Sequence, residues 1–296
     1  MVLGTRYSLL GEDAPVRVAS NESPAAIFMT LSIIIVNYQT AQLVKYQLKN
    51  LLSLKPSLEM EIIVVDNASG DNLAAELGPD YPSVTFLTSD ANRGYAAGNN
   101  LGINRAQGKY ILIINPDITI RRAEEIERLV DFMDRNTNVG IAGPRLVHPN
   151  GELQESCSRW PSLLLPFFRR TALKDTAYGR KWLDHYFYRE WDHRSNRAID
   201  WLVGATLIVR KEALIKVGLL DENFFLYLED TDWCRRFWEA GYQVWYVADA
   251  EFTHYHKRES ADNGVLQSVF HRSSREHIKS FYKYWMKYRG KQNPHS

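Results

Sequence analysis

The sequence predicts an α/β protein with a mainly parallel central sheet that is flanked by helices. Residues 31–36, 61–65 and 110–114 are continuous apolar runs rich in Ile and Val, which is typical of strands covered on both faces. Amphipathic stretches separate these runs, so right-handed helical crossovers are expected to join parallel strands. The length of 296 residues and the hydrophobic share of 45% allow one large domain or two modest ones.

The first half of the chain alternates strands and helices. We expect strands at residues 31–36, 61–65, 84–87 and 110–114, and helices over about 43–52, from about 71, from about 94 to 106 and over about 123–135. Ligands bind to parallel sheets outside the carboxyl ends of the strands. Asn37, Asp66 and Asn115 directly follow three of these strands. Polar side chains at this edge are the first indication of a functional site.

The second half has a less regular pattern. The Pro-Asn-Gly sequence at 149–151 predicts a turn after a strand at 140–144, within a hairpin that ends near residue 153. Residues 156–200 are rich in aromatic and basic side chains and have no clean period. We expect a strand over 202–209, helices over 211–217 and 230–240, and a strand over 243–247. Gly241 is suited to end the last of these helices.

Composition excludes several classes of protein. The formal net charge of +1 gives no global field that would favour nucleic acid. The two cysteines, Cys157 and Cys234, form neither a disulfide framework nor a structural zinc site, which favours a reducing, cytoplasmic setting. Residues 1–29 are expected to be a variable extension without a signal peptide. The apolar run at 25–36 is shorter than the roughly 20 residues of a membrane span, so we expect a soluble or peripherally attached protein.

Asn115-Pro116-Asp117 ends the fourth strand and suggests a metal site. Mg²⁺ and Mn²⁺ prefer oxygen ligands, and one or two carboxylates suffice when phosphate groups supply others. Pro116 would stiffen the turn that directs Asp117. The alternative is an ordinary turn at the end of a strand.

Two further segments follow strands and could contact a nucleotide. Asp66 could accept the imide N–H of a uracil or thymine ring, or it could cap the next helix, for which Ser69 or Asp71 is better placed. Arg93, beside Gly94, is suited to phosphate or base, and the alternative is a solvated surface charge.

Residues 224–236 place three carboxylates behind an apolar stretch, at the expected start of a helix. One acidic side chain suffices as the cap that the helix dipole favours. Asp230 is our choice for a general base, with Glu229 and Asp232 as neighbours that position it or raise its pKa. Asp232 and Arg236 have the spacing of an ion pair on one helix face.

Two other features are ambiguous from the residues alone. His254 could complete a metal site, or it could be a structural histidine. Gly204 and Ala205 are small residues inside an expected strand, which indicates either close approach of a ligand or a bulge.

These segments, taken in order over roughly residues 31–256, resemble the family 2 glycosyltransferases of the GT-A fold and their rhamnosyltransferase-like branch. The resemblance implies an N-terminal extension (1–29), a GT-A domain (30–256) with a nucleotide-binding half (30–120) and a mixed acceptor-side half (121–256), and a basic, aromatic tail (257–296) with C-terminal helices. It implies the following sites: Asn37, Asp66, Asn67, Arg93, Gly94 and Asn115 for the donor; Asp117 and His254 for Mg²⁺ or Mn²⁺; Asp230 as the catalytic base; and Gly204, Ala205 and Glu229 on the acceptor side.

The resemblance also implies a reaction, with two departures from the family pattern. The expected reaction is an inverting displacement that moves one sugar, by preference rhamnose from dTDP-rhamnose and otherwise from a UDP-sugar, to a glycan or lipid-linked acceptor. Asn115 replaces the first Asp of the Asp-x-Asp motif, which removes one charge from the metal site. The Gln-x-x-Arg-Trp motif of processive synthases is absent, which argues against polymer synthesis.

Residues 163–170 and 281–289 combine apolar and basic side chains. They suit contact with a membrane at the inner face of the cell, where a lipid-linked acceptor would be presented. Ordinary packing or a homodimer contact is the alternative.

Three other functions are less consistent with the sequence. An NAD-dependent oxidoreductase would carry a Gly-x-Gly-x-x-Gly loop, whereas residues 37–40 read Asn-Tyr-Gln-Thr. A sugar nucleotidyltransferase usually has a Gly-rich basic loop after the first strand, which is absent as well. A silent nucleotide-sugar-binding protein is the main non-enzymatic alternative, and Asp117, Asp230 and His254 argue against it.

Overall fold

A computed structural model describes residues 29–255 and 272–295. Residues 1–28 of the expected extension and residues 256–271, at the start of the expected tail, lie outside the described residues. The strands are β1 (Leu31–Asn37), β2 (Met60–Asp66), β3 (Val84–Thr88), β4 (Tyr110–Ile114), β5 (Ile118–Thr119), β6 (Val139–Val147), β7 (Cys157–Ser158), β8 (Arg197–Ala198), β9 (Trp201–Leu202), β10 (Thr206–Arg210) and β11 (Gln243–His254). The α-helices are α1 (Ala41–Leu54), α2 (Leu73–Leu77), α3 (Tyr95–Arg105), α4 (Ala123–Arg135), α5 (Leu165–Arg170), α6 (Ala177–Tyr186), α7 (Leu214–Val217), α8 (Glu229–Glu239) and α9 (Arg272–Tyr288).

The main sheet has the order β3-β2-β1-β4-β10-β6-β11-β5, with β8 paired to β11. Strands β3, β2, β1 and β4 are parallel, as are β6 and β11, whereas β10, β5 and β8 are antiparallel to their neighbours. A two-stranded sheet of β7 and β9 stands apart. The predicted α/β fold, with a mainly parallel sheet and a mixed second half, is confirmed.

Helices cover both faces of the sheet, which explains the continuous apolar strands. Ile33 and Ile35 of β1 pack into a core shared with α1 and α4. Ile34, between them, packs into a second core shared with α3 and α8. Because successive side chains of a strand point to opposite faces, a strand buried on both sides needs no polar alternation.

Helix α3 lies unusually close to the sheet because it carries glycines on its inner face. A Cβ atom added at Gly98 would come within 2.8 Å of Val36 Cγ1, and one added at Gly102 within 2.6 Å of Ile34 Cγ2. Both distances are shorter than real Cβ contacts, so larger residues would push the helix outward. The close approach sets the position of Tyr95, the first residue of α3.

The sheet curls so that β5 meets β11. Strand β5 begins four residues after β4 ends, yet four strand spacings separate the two in the sheet order. Four spacings of a flat sheet span about 19 Å, whereas four residues reach at most about 14 Å. Strand β11 has a bulge between Val247 and Glu251, and a bulge bends its strand. The bend brings the end of β11 to the turn after β4.

Three expectations from the sequence are wrong in detail. The strand expected over 202–209 is divided into β9 and β10, with residues 203–205 outside both. The expected hairpin near 149–151 has only a single bridge, between Val147 and Leu153. Neither Ser69 nor Asp71 caps α2, whose N-cap residue is Asn72 without a side-chain hydrogen bond.

The described part of the C-terminal tail forms α9, which packs against the domain. Tyr284 and Tyr288 of α9 are buried with Phe224 and Leu228, the residues that lead into α8. Ser280 Oγ donates to the carbonyl oxygen of Leu226 at 2.9 Å. Among the described residues, no helix has both the length and the apolar character needed to cross a bilayer.

Candidate active site

Asn37 and Asp66 lie side by side where β1 and β2 end. Their backbones pair in the parallel register, and Asn37 Nδ2 donates to Asp66 Oδ1 at 3.2 Å. Asp66 Oδ1 also accepts from the backbone and hydroxyl of Ser69, while Asn37 Oδ1 accepts from the backbone and hydroxyl of Thr40. Asn37 is therefore a buried amide that joins two loops. Asp66 is held in place through one carboxylate oxygen.

Asn67 and Gly94 connect the β2 end to the loop before α3. Asn67 Nδ2 donates to Gly94 O at 3.0 Å and to Asn92 Oδ1 at 3.2 Å. Gly94 has a φ of +97°, and a Cβ atom there would lie 2.2 Å from Phe225 O. The next residue, Tyr95, donates its backbone N–H to the same carbonyl at 2.8 Å. Gly94 is thus required where the loop before α3 touches the loop before α8.

Tyr95 links the end of β4 to the interruption between β9 and β10. Its hydroxyl donates to Gly204 O at 2.6 Å and lies 3.1 Å from Asn115 Oδ1. Burial is the main cause that raises the pKa of Tyr95, and the charges of Glu229, Asp230 and Asp117 raise it further. The Tyr95 hydroxyl therefore stays protonated. The carboxylates of Glu229, Asp230 and Asp117, which are all predicted site residues, therefore lie near Tyr95.

Asp117 meets His254 at the point where β5 pairs with β11. Asp117 Oδ1 lies 3.2 Å from His254 Nε2, and the backbone N–H of Tyr255 donates to Asp117 O at 2.9 Å. On the other side of the ring, His254 Nδ1 lies 2.9 Å from Gln154 Oε1. The predicted metal pair, 137 positions apart in the sequence, is brought together.

The chemistry of this pair fits a divalent cation. If Nδ1 donates to Gln154 Oε1, Nε2 is the ring nitrogen that can bind a cation beside Asp117, as in histidine ligands oriented by a second group. Adjacent ligands of an octahedral Mg²⁺ or Mn²⁺ site lie about 3 Å apart, close to the observed 3.2 Å. The described residues contain no group of three His, Cys, Asp or Glu side chains that could enclose a metal. A cation here would need oxygen ligands from a bound phosphate or water.

Asp230 is fixed at the first turn of α8 by donors on both of its oxygens. Oδ2 accepts the backbone N–H of Gly204 at 2.7 Å, and Oδ1 accepts the backbone N–H of Thr231 at 2.7 Å. Burial raises the pKa of Asp230, and these hydrogen bonds act in the opposite direction. The carboxylate is therefore held in one orientation and made more basic than an ordinary aspartate.

Glu229 is buried next to Asp230, with a raised pKa and one carboxylate oxygen that is unpaired within the described part of the chain. Its Oε2 atom has no hydrogen-bond partner among the described residues. Burial, and secondly the charge of Asp230, raise the pKa of Glu229 well above its usual range. The two residues before it, Tyr227 and Leu228, have left-handed φ angles of +69° and +68°. Such strain in bulky residues is concentrated at functional sites.

The sequence profile of the family described as glycosyl transferase family 2 matches residues 32–217. The chain belongs to this family. Its sheet and its helices are those of a GT-A glycosyltransferase, and the family assigns the chain an enzymatic activity. Asp230 and His254 lie beyond the matched residues, so their placement comes from the structure.

Relatives of this glycosyltransferase include named enzymes. The chain is 30% identical over 228 residues to N-acetylglucosaminyl-diphospho-decaprenol L-rhamnosyltransferase of Mycobacterium tuberculosis, covering 71% of this chain and 70% of the relative. It is 28% identical over 214 residues to dTDP-rhamnosyl transferase RfbF of Shigella flexneri, covering 70% and 65%.

The fold also resembles a solved mannosyltransferase from Pyrobaculum calidifontis, which was determined in complex with GDP-Man and Mn²⁺. The TM-score is 0.58 at 15% identity, with 89% of this chain and 66% of that chain covered. At this identity the likeness concerns the fold alone.

The remaining predicted residues of this glycosyltransferase are placed as follows. Arg93 is exposed and forms an ion pair with Glu222 at 2.6 Å. Asn115 Oδ1 lies 3.1 Å from the Tyr95 hydroxyl oxygen, and the Asn115 backbone N–H donates to Ala205 O at 2.8 Å. Gly204 and Ala205 thus lie between the β4 end and Asp230.

Sequence reasoning gave no role to Tyr95 or Gln154. Tyr95 directly follows the Asn-Arg-Gly segment, and this position is the only indication in the sequence that Tyr95 belongs to the site. Gln154 has no local signal, since only the approach of β11 places it beside His254.

A separate polar groove of about 890 Å³ lies between α4 and the middle of β11. Its lining includes Arg128, which contacts Glu125 and the backbone of Asp249. The groove is lined by none of the predicted site residues.

Proposed function

We propose that this family 2 glycosyltransferase transfers a single rhamnosyl group from dTDP-rhamnose to a lipid-linked or growing bacterial cell-surface glycan. The observation that carries the proposal is the convergence on the Tyr95 hydroxyl, which links Asn115 to Gly204. Asp117, with His254, lies on one side of this link and Asp230 on the other, so a phosphate-binding pair and a base meet at one place. The printed names of two relatives support rhamnose as the sugar and dTDP as its carrier.

The donor would lie along the ends of β1, β2 and β4. Asp66 would accept the imide N–H of the thymine ring through its second oxygen, since its Oδ1 already accepts from Asn37 and Ser69. Asn67 and Gly94 shape the pocket wall, and Arg93 would exchange Glu222 for a phosphate group. Asp117 and His254 would hold Mg²⁺ or Mn²⁺, which neutralises charge on the leaving diphosphate. Structural relatives solved with Mn²⁺ support a divalent cation.

Asp230 would act on the acceptor. Its carboxylate takes the proton from the acceptor hydroxyl as that oxygen attacks the anomeric carbon, and the bond from that carbon to the phosphate oxygen breaks. The attack comes from the face opposite the leaving group, so the product has inverted configuration. Gly204 N–H and Thr231 N–H keep the carboxylate aimed while burial raises its pKa towards the working pH. The transfer would take place at the cytoplasmic face of the membrane.

Purified chain supplied with Mn²⁺, an acceptor fragment and a panel of dTDP- and UDP-sugars tests this proposal. We expect nucleotide release with dTDP-rhamnose and an inverted anomeric configuration in the product by NMR. Asp230→Asn should lower kcat by about 10²–10⁴-fold and leave donor affinity nearly unchanged. Asp131→Asn, an exposed aspartate on α4, is the matched control.

Other outcomes favour the alternatives. Turnover only with a UDP-sugar would show that the donor is that UDP-sugar and not dTDP-rhamnose. Thermal stabilisation by a nucleotide-sugar without release under any condition would indicate a binding protein. Wild-type turnover in Asp230→Asn would remove Asp230 from the role of base.

A further inference from the structure

Two apolar segments that are distant in the sequence meet on the surface of the molecule. Leu163, with Pro161 and Ser162, lines the same cavity of about 230 Å³ as Phe281, Trp285 and Arg289 of the C-terminal segment. Residues 163–181 and 275–291 therefore meet at Leu163, and we call the exposed side chains of these two segments together the basic-apolar face.

This face concentrates the exposed apolar side chains of the protein. Of the fifteen large hydrophobic side chains exposed among the described residues, eight belong to these two segments. Three are on α9, at the helical spacing of i, i+4 and i+8, namely Ile278, Tyr282 and Met286. Five are on the other segment, namely Leu163, Leu164, Phe167, Leu173 and Tyr178. Such clustering marks an interaction surface, whereas single exposed apolar residues are ordinary.

The inner side of α9 is already occupied, so its outer side is what remains for a partner. Tyr284 and Tyr288 are buried in a small core, and Tyr288 donates its hydroxyl to Asp232 Oδ1 at 2.7 Å. Lys287 contacts the same oxygen at 2.7 Å. Ile278, Tyr282 and Met286 lie on the side of α9 opposite Tyr284 and Tyr288, so their side chains point outward.

The charge of the face identifies the partner. Residues 163–181 contain five basic and one acidic residue, and residues 275–291 contain six basic and one acidic residue. Lys287 is paired with Asp221 and Asp232 on the inner side, so the other residues of these segments have a formal charge of +8 in a chain whose net charge is +1. Apolar side chains interspersed with Lys and Arg suit the boundary between anionic headgroups and acyl chains. A second copy of the chain would bring the same positive charge against itself.

We infer that the basic-apolar face docks this enzyme on an anionic lipid bilayer, with the outer side of α9 lying in the headgroup region. Tyr282 and Met286 enter the apolar boundary while Arg275 and Arg289 contact lipid phosphates. Because the inner side of α9 packs on the residues before Asp230, docking places the base next to the membrane. The inference extends the proposed function, in which the acceptor is lipid-linked, but vesicle binding itself requires neither donor nor acceptor.

Sedimentation of the full chain with phosphatidylcholine vesicles, with and without phosphatidylglycerol, tests the inference. We expect binding only to the anionic vesicles and a loss of binding at high salt. Arg275→Gln with Arg289→Gln should weaken it by about fivefold for each residue, and Tyr282→Ser with Met286→Ser by about tenfold.

Matched variants control for non-specific effects. Ile215 is 92% exposed outside the face, so Ile215→Ser should bind like wild type. Arg121→Gln with Arg135→Gln removes two exposed arginines at the ends of α4 and should also leave binding unchanged. Thermal melts of every variant confirm that the exposed substitutions do not unfold the chain.

Three results would overturn the docking inference. They are absence of wild-type binding to anionic vesicles, equal binding by face and control variants, and a wild-type dimer that the face variants dissociate in analytical ultracentrifugation. Transfer from dTDP-rhamnose to a water-soluble acceptor fragment, measured on the same preparations, tests the proposed function without a bilayer. Either hypothesis can therefore fail while the other holds.

Discussion

Gly204 illustrates how one residue controls the orientation of the proposed base, Asp230. Its N–H donates to Asp230 Oδ2 at 2.7 Å, and its carbonyl accepts the Tyr95 hydroxyl at 2.6 Å. A Cβ atom at this position would lie 3.2 Å from Asp230 Cβ and 3.3 Å from Asp230 Oδ2. These distances are tighter than most real Cβ contacts, so the carboxylate would have to move.

We therefore expect Gly204→Ala to lower kcat by about 10²-fold, because small displacements of catalytic groups have effects of this size. Donor binding should change little, since the strand ends proposed to contact the donor are untouched. Gly78→Ala is the matched control, because a Cβ atom there meets nothing within 4 Å and its φ is not positive. Steady-state kinetics on both variants give the comparison. Equal kcat values for the two would show that Gly204 does not position Asp230.

Glu229 should lower the stability of the protein at neutral pH. Its pKa is raised on folding, chiefly by burial. Ionisation is then easier in the unfolded chain, so the free energy of unfolding falls as pH rises above the ordinary glutamate pKa of about 4.3. Below that pH, Glu229 is protonated in both states and has no such effect.

Glu229→Gln removes this ionisation and keeps the shape of the side chain. We expect a Tm above that of wild type at pH 8, by about 2–4 °C for each kcal/mol gained, and a difference that shrinks towards pH 4. Thermal melts across this range measure it, with Glu152→Gln on an exposed turn as control. A Tm difference that does not change with pH would contradict a raised pKa of Glu229 in the folded protein.

At the scale of elements, α9 fixes the start of α8. Buried Asp232 accepts from Tyr288 Oη at 2.7 Å and from Arg236 Nε at 2.8 Å, and it lies 2.7 Å from Lys287 Nζ. Two of these partners come from α9, so the C-terminal helix stabilises the segment that carries Asp230.

Tyr288→Phe deletes only the hydroxyl that reaches Asp232. We expect a loss of about 1–3 kcal/mol in the free energy of unfolding, because a buried carboxylate loses a hydrogen bond. Tyr282→Phe, on the exposed side of the same helix, should change it by less than about 0.5 kcal/mol. Urea denaturation provides both values. Equal stability of the two variants would mean that α9 does not support α8 through Asp232.

The elements that sequence patterns predicted well are those with local causes. Strands β1, β2 and β4 are continuous apolar runs, and α4 was predicted at Ala123–Arg135 because its apolar spacing is regular. The division of the 202–209 strand has no local signal, since the contact at the break, between Gly204 and Asp230, joins residues 26 positions apart. Residues 156–200 were not resolved into elements because α5 and α6 form a small core of their own rather than one face of the sheet.

At the scale of the whole molecule, the site depends on the curl of the sheet. Asn37, Asp66 and Asp117 could be found from the sequence because Asn37 and Asp66 directly follow apolar runs and Asp117 ends the Asn-Pro-Asp segment after the fourth run. The meeting of Asp117 with His254 is implied by the family resemblance alone, and the support from Gln154 has no sequence signal, since both contacts require the bulge that bends β11 towards β5. Long-range pairing of this kind leaves no periodic signal in either segment.

Ligand binding at Asp117 and His254 should stabilise the entire fold, because the pair joins the turn after β4 to the far edge of the sheet. A ligand that binds only the folded state at 100 times its Kd adds about 2.7 kcal/mol, or roughly 5–10 °C in Tm for a chain of this size. We expect this shift with dTDP and Mn²⁺ together.

His254→Ala should lose the part of the Tm shift that depends on Mn²⁺ and keep the part due to dTDP alone. His185→Ala, an exposed histidine on α6, should behave as wild type. A full Mn²⁺-dependent shift in His254→Ala would remove His254 from the metal site and leave Asp117 as its single protein ligand.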